Sequence, residues 1–236
     1  MRVTTTYRIS GAVLALSTIF LLINSLSVEA QVTFVTDRTS IGADDLLDWA
    51  TTAPDGTSLP SPNVLTNNSL GVNVFSGESA INRTTAGSSF PLNFAYGDAL
   101  IANSNNAPLV LTFAKPVFGA GAKIDVGNNS GINYTGTIEA FDASGNSLGG
   151  GTNVGVDGFV ANDTAIFIGV TSTTANIKSV VFTSSFFDPL VGTITNSTLI
   201  NNVSFRATPE PSNLAFLLSG GAVTAGAFFR RNRRRK

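Results

Sequence analysis

The 236-residue sequence contains neither histidine nor cysteine, and that double absence removes most familiar reactive chemistry. A Ser-His-Asp or Cys-His nucleophile cannot be assembled, and the usual His and Cys zinc sites cannot form. What remains is oxygen chemistry: carboxylates, amides, hydroxyls and carbonyls, the ligands of calcium and of sugar hydroxyls. Glycoside hydrolysis needs two carboxyl groups flanking one bond, roughly 5 to 9 Å apart. Between residues 31 and 208 the glutamates are two, Glu78 and Glu139. Glu78 sits in a Ser-Gly-Glu-Ser turn, and Glu139 lies between Ile138 and Ala140 on a strand whose neighbours are structural. A loop charge and a solvated strand face account for both, so no catalytic residue is assigned and no enzymatic activity is expected.

Asp98, Asp157, Asn162 and Asp163 fall in predicted loops beside glycines, where sandwich loops can hold Ca²⁺. They follow no EF-hand or other ligand spacing, and Asx residues form turns in their own right. We take them as turn formers, assign no metal and no cofactor, and keep calcium as the alternative. Sugar recognition asks for exposed rings with amides or carboxylates nearby. Trp49, Tyr96 and Tyr134 supply the Trp and Tyr of the 31–208 region. Trp49, beside Leu46 and Leu47, reads as core. Tyr96 precedes the turn signal Gly97-Asp98, and Tyr134 follows Gly131-Ile132-Asn133, so both are candidate ligand residues. Residues two apart on a strand share a face. Tyr96 and Asp98 would therefore present a ring and an acceptor together if the strand continues through Gly97.

Strands must position these groups. Residues 31–36, 70–75, 80–85, 90–100, 109–113, 117–126, 134–142, 146–156, 165–170, 177–183 and 199–206 read as strands by alternation or short apolar runs. Lys115-Pro116 marks an edge or a bend, Ala143-Ser144-Gly145 a hairpin, and AIFIGV a strand buried on both faces. In the last strand Leu199, Val203 and Phe205 are expected on one face, with Ile200, Asn202 and Ser204 on the other. Ala43 to Thr51 (ADDLLDWAT) is the one predicted helix of this region, about two turns long, with Asp44 and Asp45 at its positive end. Seventeen phenylalanines and many Val and Ile suit sheet-on-sheet packing. The expected fold is all-β, an antiparallel β-sandwich of jelly-roll type with one short helix. About 178 residues suffice for one such domain with a real core, and its size makes disulfides dispensable.

The two ends read as processing segments. Arg2 and Arg8 make a basic n-region, Gly11 to Ile23 an apolar h-region, and Val28-Glu29-Ala30 a small-residue cleavage site. Residues 1–30 are thus a predicted secretory signal peptide, cleaved between Ala30 and Gln31. Residues 209–236 hold three parts in order: the triplet Pro209, Glu210, Pro211; an apolar span from Leu214 to Phe229; and a basic cluster of Arg230, Arg231, Arg233, Arg234, Arg235 and Lys236. At 1.5 Å per residue the span reaches roughly 24 Å, short of the ~30 Å hydrocarbon core. Snorkelling arginines would cover the difference, and their charge holds that end on the cytoplasmic side. Between Gln31 and Thr208 thirteen acids face six bases, a net of −7 against −1 for the whole chain. Such a body has no basic patch for nucleic acid.

The ordered tail resembles the PEP-CTERM sorting signal of Gram-negative bacteria that make an extracellular polysaccharide matrix, where an exosortase handles such tails. More faintly, LVLTFAKPVFGAGAKIDV, TIEAFDASGNSLGG, AIFIGVTS, IKSVVFTSS and LINNVSF resemble the galactose-binding or carbohydrate-binding-module-like sandwiches common in that family. The family's closing strand often reads Asp-Asn where this chain has Asn201-Asn202, so no acidic side chain carries over there. The resemblance implies a domain order of signal peptide (1–30), β-sandwich ectodomain (31–208) and C-terminal transmembrane sorting helix (209–236). It further implies export with the Sec machinery and an exosortase as partners, a transient inner-membrane anchor, and a final place at the cell surface or in the extracellular matrix. The expected role is that of a non-enzymatic surface or matrix protein. The alternative is a carbohydrate-binding module acting on exopolysaccharide.

Overall fold

A computed structural model of the chain describes residues 31–77, 80–87, 93–103, 107–127, 131–158, 160–188 and 193–208. The expected signal peptide with Ala30, and the tail with Pro209, Glu210, Pro211 and the basic run from Arg230 to Lys236, lie outside the described residues. No helix among the described residues is long and apolar enough to cross a membrane.

In chain order the strands are β1 (Thr33–Val35), β2 (Asp45–Leu47), β3 (Ser58–Leu59), β4 (Asn63–Leu65), β5 (Gly71–Phe75), β6 (Ile81–Thr85), β7 (Ala99–Asn103) and β8 (Leu109–Val117). They continue with β9 (Gly119–Val126), β10 (Asn133–Phe141), β11 (Ser147–Val156), β12 (Ile166–Thr171), β13 (Ile177–Asp188), β14 (Thr193–Asn196), β15 (Thr198–Ile200) and β16 (Val203–Arg206). A nine-stranded sheet runs β1-β12-β9-β15-β7-β6-β3, with β16 pairing both β2 and β9. A seven-stranded sheet runs β11-β10-β13-β8-β5-β4, with β14 on β13. The strand pairs are antiparallel, from β1 on β12 to β6 on β7. The protein is an all-β antiparallel sandwich with almost no helix.

The core lies between the two sheets, where alternation delivers Val72 and Val74, Leu109, Leu111 and Phe113, Ile138 and Ala140, Val180 and Phe182 from one side. Ala120, Ala122, Ile124, Ile168, Val170, Val203 and Phe205 meet them from the other. Phe113 and Phe205 touch edge to face across the sandwich, with centroids 5.2 Å apart and planes at 78°, the geometry that the ring quadrupole favours. The AIFIGV run is β12, and Phe167 through Val170 are buried, as a strand covered on both faces requires.

Four expectations fail for identifiable reasons. The predicted helix over 43–51 is instead β2 followed by a 3-10 turn, Trp49–Thr51. Asp45 does not cap a helix. It is buried, accepting from Leu46 N and Asn68 N at 2.8 and 2.9 Å and from the Thr66 hydroxyl, which ties β2 to a distant loop and holds it extended. Among the described residues of the strand expected over 90–100, Asn93 to Asp98 are not strand and β7 starts at Ala99, because Ala95 to Asp98 forms a turn closed by Asp98 N to Ala95 O at 3.0 Å. The strand expected to stop at Phe113 runs on through Pro116 to Val117, although the bend expected at Lys115-Pro116 is there: four residues of β8 (113–116) stand against one, Lys178, of β13. The last predicted strand is two, β15 and β16, broken at Asn201-Asn202. Leu199 therefore joins an outer cluster with Phe94 and Leu100, while Ile200 comes onto the same core as Val203 and Phe205.

The Phe113–Phe205 contact sits at the centre of this core, and both rings are fully buried. Phe113→Ala is expected to cost about 3–5 kcal/mol of unfolding free energy through lost burial and the cavity left behind. Urea denaturation followed by far-UV dichroism measures it, and the folded spectrum should be that of β structure.

Candidate functional site

Of the residues singled out from the sequence, Tyr96 is delivered to solvent. It occupies the tip of the Ala95–Asp98 turn, whose next residue, Gly97, has φ 89°. That left-handed conformation at the third turn position favours glycine, as in a type II turn. Tyr96 is 77% exposed, and one edge of its ring rests against Gly87, where an added Cβ would come within 3.2 Å of the ring.

Asp98 does not join it. The turn ends the strand, so the two side chains do not share a strand face, and Asp98 Oδ2 accepts from Asn201 Nδ2 at 3.4 Å. Asn201 is the hub of a network that sequence reasoning missed. Its Oδ1 accepts from Lys123 N at 3.0 Å and from Arg38 Nη2 at 3.2 Å. Its backbone N donates to Lys123 O at 3.2 Å, and its carbonyl accepts from Trp49 Nε1 at 2.8 Å. Lys123 N–H and Arg38 can only donate, which fixes the amide oxygen toward them and the amide nitrogen toward Asp98. Arg38 also donates to Asn202 O at 3.2 Å, with its guanidinium 5.7 Å from the Phe167 ring centroid. Burial lowers the Arg38 pKa while Asp98 and Asp163 oppose that shift. The Lys123 ammonium pairs with the Asp163 carboxylate and donates to Asp163 O at 3.1 Å. The signal that could have found the hub is the pair of adjacent asparagines interrupting an otherwise apolar closing strand.

Tyr134, expected near the surface, is 1% exposed. It stands on the inward register of β10 with Gly136, Ile138 and Ala140, and its hydroxyl donates to Ile124 O at 2.8 Å and accepts from Ile166 N at 3.4 Å. The ring lies over Gly155, where a Cβ would stand 2.5 Å from it. Any larger residue at 155 would displace the ring. Beneath it is a polar group that the sequence did not reveal. Asp125, fully buried, accepts from Val126 N at 2.8 Å and Asn93 N at 3.1 Å and faces the Tyr134 hydroxyl. Asp157, also buried, is the charged group acting on it. Burial, with Asp157 adding to it, pushes the Asp125 carboxyl up to about 7 against the lowering effect of its hydrogen bonds. The same burial, reinforced by Asp125, raises the Tyr134 phenol. With the Tyr134 proton already given to Ile124, a protonated Asp125 can donate to the phenol oxygen, whereas a carboxylate can only confront it.

The oxygen-bearing loop residues do not gather. Asp98 is held by Asn201 and Asp163 by Lys123, and Asn162 Oδ1 accepts from Thr164 N and its hydroxyl at 3.2 and 2.6 Å, an Asx turn. No group of three His, Cys, Asp or Glu among the described residues could hold a metal ion. Glu139 is exposed on β10 and accepts from Ser147 Oγ at 2.7 Å. Glu78 lies outside the described residues. A cavity of about 730 Å³ is an open trough past Arg38, Asp44, Asp45 and Asn68. Its two carboxylates are engaged: Asp44 accepts from Ala207 N at 2.7 Å, Thr208 N at 2.8 Å and the Thr208 hydroxyl.

Two outcomes test this geometry. The folded protein holds the Asp125 proton up to about pH 7, whereas an unfolded chain releases it near 3.8. Stability is therefore expected to fall as pH rises through that window and to level off above it. Asp125→Asn should flatten this part of the profile when melting temperature is followed from pH 4 to 8. Asn201→Asp is expected to cost about 2–3 kcal/mol, because a carboxylate there cannot donate to Asp98 and instead repels it. Urea unfolding at pH 7 measures the loss.

No family model matches the chain, and no curated protein matches it. Among solved structures, a DUF4465 family protein from Bacteroides caccae is similar at 15% identity, covering 74% of this chain and 100% of that one, with a TM-score of 0.37. The module CsCBM6-3 from Clostridium stercorarium, solved with cellobiose, is similar at 14% identity over 57% of this chain and 93% of its own, with a TM-score of 0.27. TmCBM61, solved with β-1,4-galactotriose, is similar at 14% identity over 58% and 88%, also with a TM-score of 0.27.

Proposed function

We propose that this chain is a PEP-CTERM protein, an exported, non-enzymatic surface or extracellular-matrix component sorted by an exosortase through residues 209–236. The observation that carries the reading is the order of Pro209-Glu210-Pro211, the apolar span Leu214 to Phe229 and the basic cluster Arg230 to Lys236. Each part has a physical task in that order. The span enters the bilayer, the arginines hold its far end on the cytoplasmic side, and the triplet stands at the outer interface. There the prolines keep the chain extended and out of the helix, open to a membrane enzyme. Residues 1–30 serve as the signal for the Sec machinery, and the jelly-roll-type ectodomain is the cargo. Its net of −7 and its hydroxyl- and amide-rich surface suit a hydrated matrix and offer nothing to nucleic acid.

A second reading, a carbohydrate-binding module acting on exopolysaccharide, is favoured by one observation, the Tyr96 ring held out on a turn at 77% exposure. An exposed ring on a rigid tip is a usual way to stack on a pyranose.

Replacing Glu210 and both flanking prolines by alanine tests the sorting. Export across the inner membrane should persist, and the protein should accumulate there. Fractionation with immunoblotting reads the distribution, and a triple variant that reaches the exterior as readily as wild type would overturn the assignment.

A further inference from the structure

Of the seven large apolar side chains that stand exposed among the described residues, five (Leu65, Phe75, Val154, Val156 and Phe187) belong to the outer face of the seven-stranded sheet. The ladder places them in rows. Phe75 stands across from Val110, then Val181, then Glu139. Further along β13 the rows are Thr183–Thr137–Thr152 and Ser185–Thr135–Val154, and Phe187 follows two residues after Ser185. At ~3.3 Å per residue and ~4.8 Å per strand, the two phenylalanines are roughly 20 Å apart. Hydroxyls fill the space between them. In these rows the one charged side chain is Glu139, which is bonded to Ser147. Lys178, at the bulge beyond them, gives its ammonium to Ala114 O at 2.9 Å. The other sheet's side is different, carrying Arg38, the Lys123–Asp163 pair and the Arg83–Asp55 pair.

We propose that this face binds a neutral, extended polysaccharide laid between Phe75 and Phe187. Charge selects the occupant. The rows hold no ammonium or guanidinium to meet a uronate or sulfate, and a body of net −7 repels polyanions. Spacing argues against a protein partner, whose interface would have a contiguous apolar centre, whereas here Thr and Ser rows separate the rings. A sugar chain presents C–H faces and hydroxyls in alternation. The rings take the former, and Thr135, Thr137, Thr183 and Ser185 both donate to and accept from the latter. The proposal takes its ligand class from the carbohydrate-binding reading, but its location does not depend on Tyr96.

Affinity electrophoresis of the purified exported protein in gels containing a neutral glucan, galactan or mannan, and in alginate gels, tests it. Retardation is expected by at least one neutral polymer and not by alginate. Phe75→Ala and Phe187→Ala should each weaken that retardation about tenfold with little change in melting temperature, since both rings are already exposed, and Tyr96→Ala should leave it unchanged. Retardation abolished by Tyr96→Ala and kept by both phenylalanine variants would overturn the site while leaving the carbohydrate reading in place. Retardation by none of the neutral polymers would overturn both. Stronger retardation by alginate, or a concentration-dependent dimer lost on Phe187→Ala, would replace the proposed occupant with a polyanion or a second copy of the chain.

Discussion

The amide of Asn201 stands where the closing segment changes neighbours. Before it, β15 lies between β7 and β9; after it, β16 lies between β2 and β9. A strand that switches partners leaves ladder groups of the common neighbour unmatched, and a buried unmatched peptide group costs on the order of a lost hydrogen bond. Asn201 fills the gap with its own side chain, accepting from Lys123 N while its backbone donates to Lys123 O. The same amide reaches Arg38 and Asp98, and its carbonyl holds the Trp49 indole. Four segments far apart in sequence are thereby fixed to β9, and the turn that displays Tyr96 is among them. An asparagine is needed because one partner is a carboxylate and the others are donors, which an aspartate could not satisfy together.

The antiparallel class and the buried character of AIFIGV were legible because alternation and short apolar runs record which faces are covered. The sixteen strands of the described residues outnumber the eleven read from the sequence because two- to four-residue strands such as β3, β4 and β14 are too short to show a period. The short apolar run LLDW was ambiguous, since Leu46, Leu47 and Trp49 fit a helix face as well as a strand, and long-range partners decide for the strand: the ladder with β16 and the tie from Asp45 to Thr66 and Asn68. Tyr134 could have been placed by parity alone: it shares its register with Ile138 and Ala140, and Gly155 opposite leaves room for its ring. Proximity to a turn signal was the weaker guide. The Asp125–Asp157–Tyr134 cluster was not legible, because nothing local distinguishes a buried aspartate from an exposed one. Its burial depends on β9, β10 and the loop of Asn93 meeting in space.

The two faces of the sandwich follow from the same sequence economy. Charged residues are few, 12% of the chain, and the described ion pairs fall on the nine-stranded side, while the seven-stranded side carries mainly threonine, serine and valine with Lys115, Glu139 and Lys178 among them. Lys123 and Asp125, two apart on β9, share a face, and each is answered close by: Lys123 by Asp163, and the buried Asp125 by the N–H groups of Asn93 and Val126, as charge near a buried strand requires. On β10 and β13 the outward run of Thr135, Thr137, Thr183 and Ser185 is neutral, and the charges that do occur on these strands, Glu139 and Lys178, are hydrogen-bonded where they stand.

The junction at Thr208 also has a mechanical meaning. β16 is hydrogen-bonded on both sides, to β2 and to β9, and Asp44 grips Ala207 and Thr208 just past its end. A pull applied beyond Thr208 acts along the strand axis and must first open the Asp44 grip. It then has to slide β16 against two ladders at once, breaking their bonds together rather than one after another as in unzipping. A sandwich held in this way resists being drawn out from its C-terminal side.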